Sequence, residues 1–345
     1  MSEIRDRRVA DAVTTNNRAG AGDGRAAASP AVPKPDVPDA EAPPAASPYK
    51  RIHAIINPAA GQDEPVLSAL NRVFQAADVE WEIHVTKQSG DAERFAREAV
   101  AAGADCVAVY GGDGTQMEAA RGLTGSDVPL AILPGGTANV LSIELGIPGS
   151  AEAAAAMLTS QPTMRRWVDV GEVNGQRFIL RVGLGLEAQM VEGADREKKD
   201  RMGVFAYALS ALQALRDPQP AHYAMTIDGQ SVESDGLSCI ITNVRSLGQS
   251  GINLPASVDV SDGKLDVFVI RQADLASLMR MLTTVVVGSE PGEGPDGPLH
   301  HWQGSEISIV PTPLQSLQVD GEVLDPTALA IKVIPRAVQI VVPAP

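Results

Sequence analysis

The chain has 345 residues, 44% of them hydrophobic, and carries 28 Lys and Arg against 43 Asp and Glu for a net charge of −15. At about 100–200 residues per domain this length predicts two domains with real cores. The negative balance opposes bulk attraction to nucleic acid or to an anionic membrane surface, and 3% aromatic content excludes a stacking platform for single-stranded nucleic acid.

Apolar runs fall short of the roughly 18 residues of a membrane span, and the N-terminal MSEIRDRRVADAV lacks the apolar centre of a signal peptide, so a cytoplasmic chain is expected. Residues 1–48 hold 12 Ala, 7 Pro and no aromatic, the composition of a disordered tail that buries too little apolar surface to offset its ordering entropy. From Tyr49 the texture changes. Arg51–Ile56 reads as a strand, Asn57–Gly61 (NPAAG) as a loop, and the Val66, Leu70, Val73, Phe74, Ala77 spacing as a helix. Trp81–Thr86 is the next strand, followed by a helix over Asp91–Ala102 that stops before Gly103. Cys106–Tyr110 is a strand, Gly111–Thr115 (GGDGT) a loop and Gln116–Arg121 a short helix. Leu130–Leu133, the loop in Leu133–Asn139 (LPGGTAN) and a helix over Ala138–Leu145 complete a fourth unit. Four strand–helix units in succession predict an α/β domain with a parallel sheet covered by helices.

Beyond Arg165 the rhythm becomes that of short strands: Trp167–Glu172, Arg177–Val182, Ala221–Ile227, Leu237–Asn243, Leu265–Ile270, Glu306–Val310, Leu317–Val319 and Ala330–Val333. Asn174-Gly175, Asp228-Gly229 and Asp262-Gly263 are hairpin signals, so this half is expected to be mainly antiparallel. Helices are expected over Phe205–Leu215 and Ala273–Val286, and a loop over Pro291–Pro298. Cys106 and Cys239 lie in apolar runs without metal-ligand spacing and read as small core residues.

Three loops carry the chemistry. Glycines at a strand's carboxyl end let backbone amides approach phosphate oxygens, while the following helix offers its free N–H groups and the positive end of its dipole. GGDGT has this form, and the carboxylate of Asp113 inside an anion-binding loop implies an intervening Mg²⁺. NPAAG and LPGGTAN are also strand-to-helix loops, and such loops converge where open α/β sheets bind ligands. None fits the Walker pattern GxxxxGK[ST] or the dinucleotide pattern GxGxxG.

In this combination the chain resembles the catalytic domain of the diacylglycerol kinase and sphingosine kinase family of lipid kinases, most closely in layout the soluble bacterial members. The match continues through Asp169 and Gly183, the Asp259–Leu265 loop (DVSDGKL) and Val319–Leu324 (VDGEVL). The resemblance implies an NAD-kinase-like and diacylglycerol-kinase-like α/β domain, with helices on both faces of its sheet, over residues 49–165. It implies a β-sandwich lipid-substrate domain over 166–325, and a return of 326–345 to the first domain. It implies ATP as phosphate donor, contacting Asn57, Pro58, Ala59, Ala60, Gly61, Thr86, Gly112, Asp113, Gly114, Thr115, Gln116, Met117, Glu118 and Thr137. Asp113 and Asp169 would join the water network of a catalytic Mg²⁺, and a structural Mg²⁺ would be held by Asp259, Asp262 and the Lys264 carbonyl. Glu322 would be the general base for a diacylglycerol-like or sphingoid-type hydroxyl, with a place in phospholipid biosynthesis.

Two positions depart from the family pattern: Val140 stands where Asp is frequent, and Gln62 where Lys is frequent. On the lipid side, Arg196–Arg201 (REKKDR) precedes the apolar Met202–Leu215. This is either a patch for transient peripheral membrane contact or a solvated loop and a core helix. A soluble-metabolite kinase of the same superfamily, such as an NAD kinase, and a catalytically silent lipid or nucleotide sensor are the alternative readings. No nucleic-acid partner is expected, and exposed edge strands leave a homodimer open.

Overall fold

The computed structural model describes residues 47–61, 65–160, 162–185, 220–246, 254, 257–271 and 299–344. Most of the expected tail, Gln62, the basic and apolar stretch 196–215, the expected helix 273–286 and the loop 291–298 lie outside the described residues. Ser47, which the sequence groups with the tail, is buried.

The first half alternates strands and helices: β1 (Arg51–Ile56), α1 (Val66–Ala76), β2 (Glu80–Val85), α2 (Asp91–Ala101), β3 (Cys106–Gly111), α3 (Asp113–Leu123), β4 (Leu130–Pro134), α4 (Val140–Glu144) and α5 (Ala151–Ser160). β3 is buried along its whole length, as a central parallel strand covered on both faces must be. Helix α1 turns Leu70 and Phe74, one turn apart, into the core. The second half supplies β5 (Thr163–Val173), β6 (Gln176–Phe178), β7 (Arg181–Gly185), β8 (Ala221–Ile227), β9 (Gln230–Gly236), β10 (Ser238–Thr242), β11 (Leu265–Ile270), β12 (Leu299–Gly304), β13 (Glu306–Thr312), β14 (Leu317–Val319), β15 (Glu322–Leu324) and β16 (Leu329–Pro343).

One ten-stranded sheet runs through both halves in the order β2-β1-β3-β4-β16-β13-β8-β9, with β5 pairing β16 and β6. Its β2-β1-β3-β4-β16 portion is parallel and its β16-β13-β8-β9 portion antiparallel. A six-stranded antiparallel sheet, β12-β11-β10-β7-β14-β15, faces the antiparallel portion. The first core lies between the parallel strands and the helices, with Ile52, Phe74, Val107 and Leu130 among its residues. The second lies between the two antiparallel faces and includes Phe178, Tyr223, Val267 and Ile309. Strand β8 alternates buried and exposed residues without a break, the period-two signature of a half-covered sheet. Cys106 and Cys239 are buried and unbonded to each other. Among the described residues no helix is long and apolar enough to cross a membrane.

Several elements differ from expectation. The single strand expected over Arg177–Val182 is broken into β6 and β7, because the backbone amides of Ile179, Leu180 and Arg181 turn to the carboxylate of Asp320. The strand expected over Ala330–Val333 is fifteen residues long. Its register against β5 shifts between Ile334 and Val338, around Pro335 and the left-handed Arg336 (φ 50°), so the proline falls at an irregularity and costs no ladder bond. Helix α5, with its run of alanines, and the polar strands β9, β12 and β15 carry too little hydrophobic periodicity to be read from sequence.

The β5–β16 ribbon spans both cores, and Asp169 supports its irregularity. Asp169 is fully buried; its Oδ1 accepts from the Arg336 amide at 2.7 Å and its Oδ2 from the Gly263 amide at 2.6 Å. Replacing Asp169 by Ala leaves both amides without this acceptor. We expect a loss of about 2–4 kcal/mol of unfolding free energy, read from urea denaturation; a loss below about 0.5 kcal/mol, within the range of surface substitutions, would contradict this role.

Candidate active site

β1, β3 and β4 are adjacent and parallel, so the segments that leave their carboxyl ends meet along one edge of the sheet. These segments are tied together by backbone hydrogen bonds. The Asn57 amide donates to the Tyr110 carbonyl at 2.9 Å, the Gly61 amide to the Gly135 carbonyl at 2.8 Å, and the Gly135 amide to the Gly111 carbonyl at 3.0 Å. The Asn57 side chain closes its own turn by accepting from the Ala59 amide at 3.0 Å, and its Nδ2 donates to Thr115 Oγ1 at 2.9 Å. Asn139, in the left-handed region at φ 47°, closes the third loop through two bonds with Gly136. Pro58 and Ala59 are exposed at the tip of the first loop and Ala60 is half-buried behind them. Thr86 is held beside them by its amide bond to the Ile56 carbonyl at 3.0 Å, and Thr137 is exposed in the third loop.

The second segment is shorter than expected. Helix α3 begins at Asp113, inside the GGDGT motif, with Gly112 as its N-cap. The amides of Asp113, Gly114 and Thr115 thus belong to the first turn, where N–H groups lack an intrahelical partner and favour an anion. The glycines here have separate reasons. A Cβ on Gly136 would stand 2.5 Å from the Gly112 Cα, so the second and third loops touch backbone to backbone. A Cβ on Gly114 would meet nothing within 4 Å, and Gly114 has no left-handed backbone to accommodate. What that glycine provides is an unobstructed approach to the helix N-terminus, a cradle suited to a polyphosphate.

The carboxylates separate into three groups. Asp113 Oδ1 accepts from the Val140 amide at 2.7 Å and so caps α4. Burial pushes this carboxyl above its ordinary range, against the pull of the Val140 amide and the Arg181 guanidinium. Val140 is buried, so the position where the family frequently has Asp packs a methyl-bearing side chain into the core. Asp169 is grouped with the Asp259–Leu265 loop rather than with the groups that surround Asp113. Asp262 accepts from the Lys264 amide at 2.9 Å, and Asp259 accepts from the Ser261 amide at 2.9 Å and pairs with Arg166 at 2.6 Å. Burial raises the Asp262 carboxyl, and the charges of Asp266, Asp259 and Asp169 raise it further. Carboxylates and a backbone carbonyl are hard oxygen donors of the kind that Mg²⁺ or Ca²⁺ takes, but among the described residues Asp169, Asp259 and Asp262 do not bring their carboxylate oxygens within 4.8 Å of one another.

The third group is the Asp320-Gly321-Glu322 turn. Asp320 and Gly321 both have positive φ, 47° and 88°, as a tight two-residue hairpin between β14 and β15 requires. The Asp320 carboxylate reaches back across the domain to accept from the amides of Ile179 at 2.9 Å, Leu180 at 3.0 Å and Arg181 at 3.0 Å. Glu322 projects, exposed, into a cleft of about 600 Å³ that it shares with Ser89, Gly90, Arg121 and Arg177. The cleft therefore joins the α2 and α3 side of the first half to the hairpins of the second.

Of the residues expected at a nucleotide, Gln116 and Met117 are buried, Gln116 Nε2 donating to the Gly111 carbonyl at 3.0 Å. Glu118 reaches from α3 to the start of α2, accepting from Ser89 Oγ at 3.0 Å and the Ala92 amide at 3.2 Å. Sequence reasoning missed Asp320 and Arg181. Asp320 carried a signal, since Asp is favoured before Gly in such turns and its side chain bonds backbone amides, but its partners lie about 140 residues away. Arg181 sits in a strand pattern and carried none.

The diacylglycerol kinase catalytic domain family matches residues 51–173, and the YegS C-terminal NAD kinase beta sandwich-like domain family matches residues 181–342. Over 277 residues the chain is 28% identical to a diacylglycerol kinase of Bacillus subtilis, covering 79% of this chain and 90% of that protein. It is also 28% identical over 308 residues to the Synechocystis protein sll0036, covering 84% of this chain and 70% of that one. A Bacillus anthracis crystal structure named as a diacylglycerol kinase superposes with a TM-score of 0.67 at 25% identity, covering 87% of this chain and 98% of that chain.

The two glycines predict opposite outcomes. Gly136→Ala forces two backbones apart and is expected to cost about 1–3 kcal/mol, whereas Gly114→Ala, in an open first helical turn, is expected to stabilise by about 0.5–1 kcal/mol. Equal effects in thermal unfolding would contradict the assigned contacts. Asp320 adds a pH signature. Burial raises its carboxyl in the folded state, against the amides of Ile179, Arg181 and Leu180. The folded chain then holds this proton more tightly than the unfolded one, so the group's stabilisation is complete below the unfolded value of about 3.9 and declines as pH rises through the folded value. The stability of the wild type relative to non-titrating Asp320→Asn should fall from about pH 4 upward, and a difference that grows with pH would contradict it. With an α/β domain whose glycine-bearing loops meet at one sheet edge and a β-sandwich that carries the DGE turn, this chain is built of a diacylglycerol kinase catalytic domain followed by a YegS-type C-terminal NAD kinase beta sandwich-like domain.

Proposed function

We propose that the chain transfers the γ-phosphate of ATP to the hydroxyl of a diacylglycerol-like or sphingoid-type lipid, with Mg²⁺ as cofactor. The observation that carries this reading is the convergence of three interlocked loops on the open first turn of α3, where a Cβ on Gly114 would meet nothing. Family membership supplies the reaction type, and the relatives' names point to lipid acceptors.

Phosphoryl transfer asks a protein mainly for alignment and charge stabilisation. The amides of the first α3 turn bind phosphate oxygens, and the Asn57–Gly61 and Gly135–Asn139 segments wall the donor on two sides. Thr86 and Thr137 add hydroxyls at its rim. A bond forms from the lipid oxygen to the γ-phosphorus as the bond to the β,γ-bridging oxygen breaks, and the hydroxyl proton passes to a carboxylate oxygen of Glu322. Arg181 and Arg121, whose charges act on Asp113 and Asp320, lie on the acceptor side and offset negative charge as it accumulates. Bound Mg²⁺ neutralises the phosphate oxygens. Asp259, Asp262 and the Lys264 carbonyl would hold a structural Mg²⁺, and Asp113 and Asp169, although they belong to separate groups in the structure, would contribute to the water network of the catalytic one. Membrane contact is transient and uses the basic edge at 196–201.

Incubation with labelled ATP, Mg²⁺ and a micellar panel of diacylglycerol, monoacylglycerol, sphingosine and ceramide should give one phosphorylated lipid. Labelling of a soluble nucleoside cofactor, with none of the lipids, would overturn the reading. Glu322→Gln is expected to lower kcat by about 10²–10⁴-fold while ATP binding measured by calorimetry is retained; near wild-type turnover would remove Glu322 from the role of base.

A further inference from the structure

His53 lies within β1, and Glu82 and His84 lie on β2, the edge strand of the ten-stranded sheet. The parallel register sets His53 opposite Glu82 and Ile55 opposite His84. Residues two apart on a strand share a face, so the three side chains rise together from one side of the sheet. His53 Nδ1 stands 3.0 Å from His84 Nε2, His84 Nε2 stands 3.6 Å from Glu82 Oε1, and His53 Nε2 stands 3.9 Å from Glu82 Oε2. The two imidazoles are stacked with centroids 5.2 Å apart and planes 12° apart, and Phe95 of α2 packs on His84 at 5.1 Å. Among the described residues this is the one group of His, Cys, Asp or Glu whose ligand atoms come so close together.

His53 is 3% exposed and forms the inner wall of the cluster, while Glu82 stands at the surface. Donor atoms around a tetrahedral Zn²⁺ with bonds of about 2.0–2.2 Å stand roughly 3.3–3.6 Å apart; with one donor atom from each residue the three lie within 4.8 Å of one another, His84 Nε2 standing 3.0 Å from His53 Nδ1 and 3.6 Å from Glu82 Oε1. Two imidazoles and a carboxylate, with the Glu82 side chain 64% exposed, leave a fourth position toward solvent, the arrangement of an open zinc site. The nitrogen donors distinguish it from the all-oxygen set at Asp259 and Asp262, which suits a hard ion.

We propose that His53, Glu82 and His84 form a binding site for a borderline divalent ion of the Zn²⁺ type. The ion cross-links β1 to the edge strand β2, adding a tie where a lone edge strand is held on one side only. Because β2 leads directly into Thr86, occupancy also fixes one wall of the nucleotide region.

The test uses the full chain without an affinity tag, titrated with Zn²⁺ in a Mg²⁺-containing buffer by calorimetry, with thermal unfolding followed in parallel. We expect one Zn²⁺ per chain, a raised Tm on saturation, and with Co²⁺ the visible absorption of a tetrahedral site. His84→Gln and Glu82→Gln, both at the accessible side of the cluster, should weaken binding about tenfold or more and remove the Tm shift, with circular dichroism confirming that each is folded. His222→Gln, which removes an exposed imidazole paired with Asp235, should leave both readouts at wild-type values. Absence of Zn²⁺ uptake by the wild type would overturn the proposal, as would wild-type affinity in both cluster variants.

Discussion

A backbone amide turned out of its ladder must find an acceptor, and at two irregularities in the second half of this chain the acceptors are carboxylates. Asp320 collects three consecutive amides at the break between β6 and β7, and Asp169 collects one from the Asp259–Leu265 loop and one from the irregularity in β16. Each bond joins segments that are distant in sequence. Removing such an acceptor leaves its amides unsatisfied, at a cost of about 1–3 kcal/mol. The β5–β16 ribbon, the DGE turn and the cleft that holds Glu322 all take their positions from these two side chains.

The same logic builds the sheet edge. The loops are committed to one another, the Asn57 side chain to Thr115, the Gly61 amide to the Gly135 carbonyl and the Gly136 amide to the Asn139 side chain, which leaves the amides of the first α3 turn as those without an intrahelical partner. Asp113 illustrates the competition for its carboxylate. Its Oδ1 is used to start helix α4, which fixes the third loop against the second. With Val140 in place of the frequent family Asp, that cap is the visible link between GGDGT and LPGGTAN through a side chain. A rigid cradle results from contacts that are individually modest.

The fold class was legible because hydrophobic periodicity is a local property: CVAVY and LAIL between glycines, and the alternation of Ala221–Ile227, announce their strands without knowledge of the partners. The three loops were legible for the same reason, each being a glycine-bearing segment between a strand and a helix. What escaped depends on distant partners. The break at Ile179 and Leu180 is dictated by Asp320, and the continuation of β16 past Pro335 is dictated by β4 and β5. The start of α3 inside the GGDGT motif was hidden because glycine disfavours helices in general, yet here it faces open space. His53, Glu82 and His84 escaped because the pairing of β1 with β2, not their spacing, brings them together.

The most direct test of the account is the crystal structure of this chain with a non-hydrolysable ATP analogue, Mg²⁺ and a short-chain diacylglycerol. The account predicts phosphate oxygens within hydrogen-bond reach of the Gly114 and Thr115 amides and the acceptor hydroxyl against the Glu322 carboxylate. A nucleotide seated away from the first turn of α3, or an acceptor hydroxyl out of reach of Glu322, would contradict it.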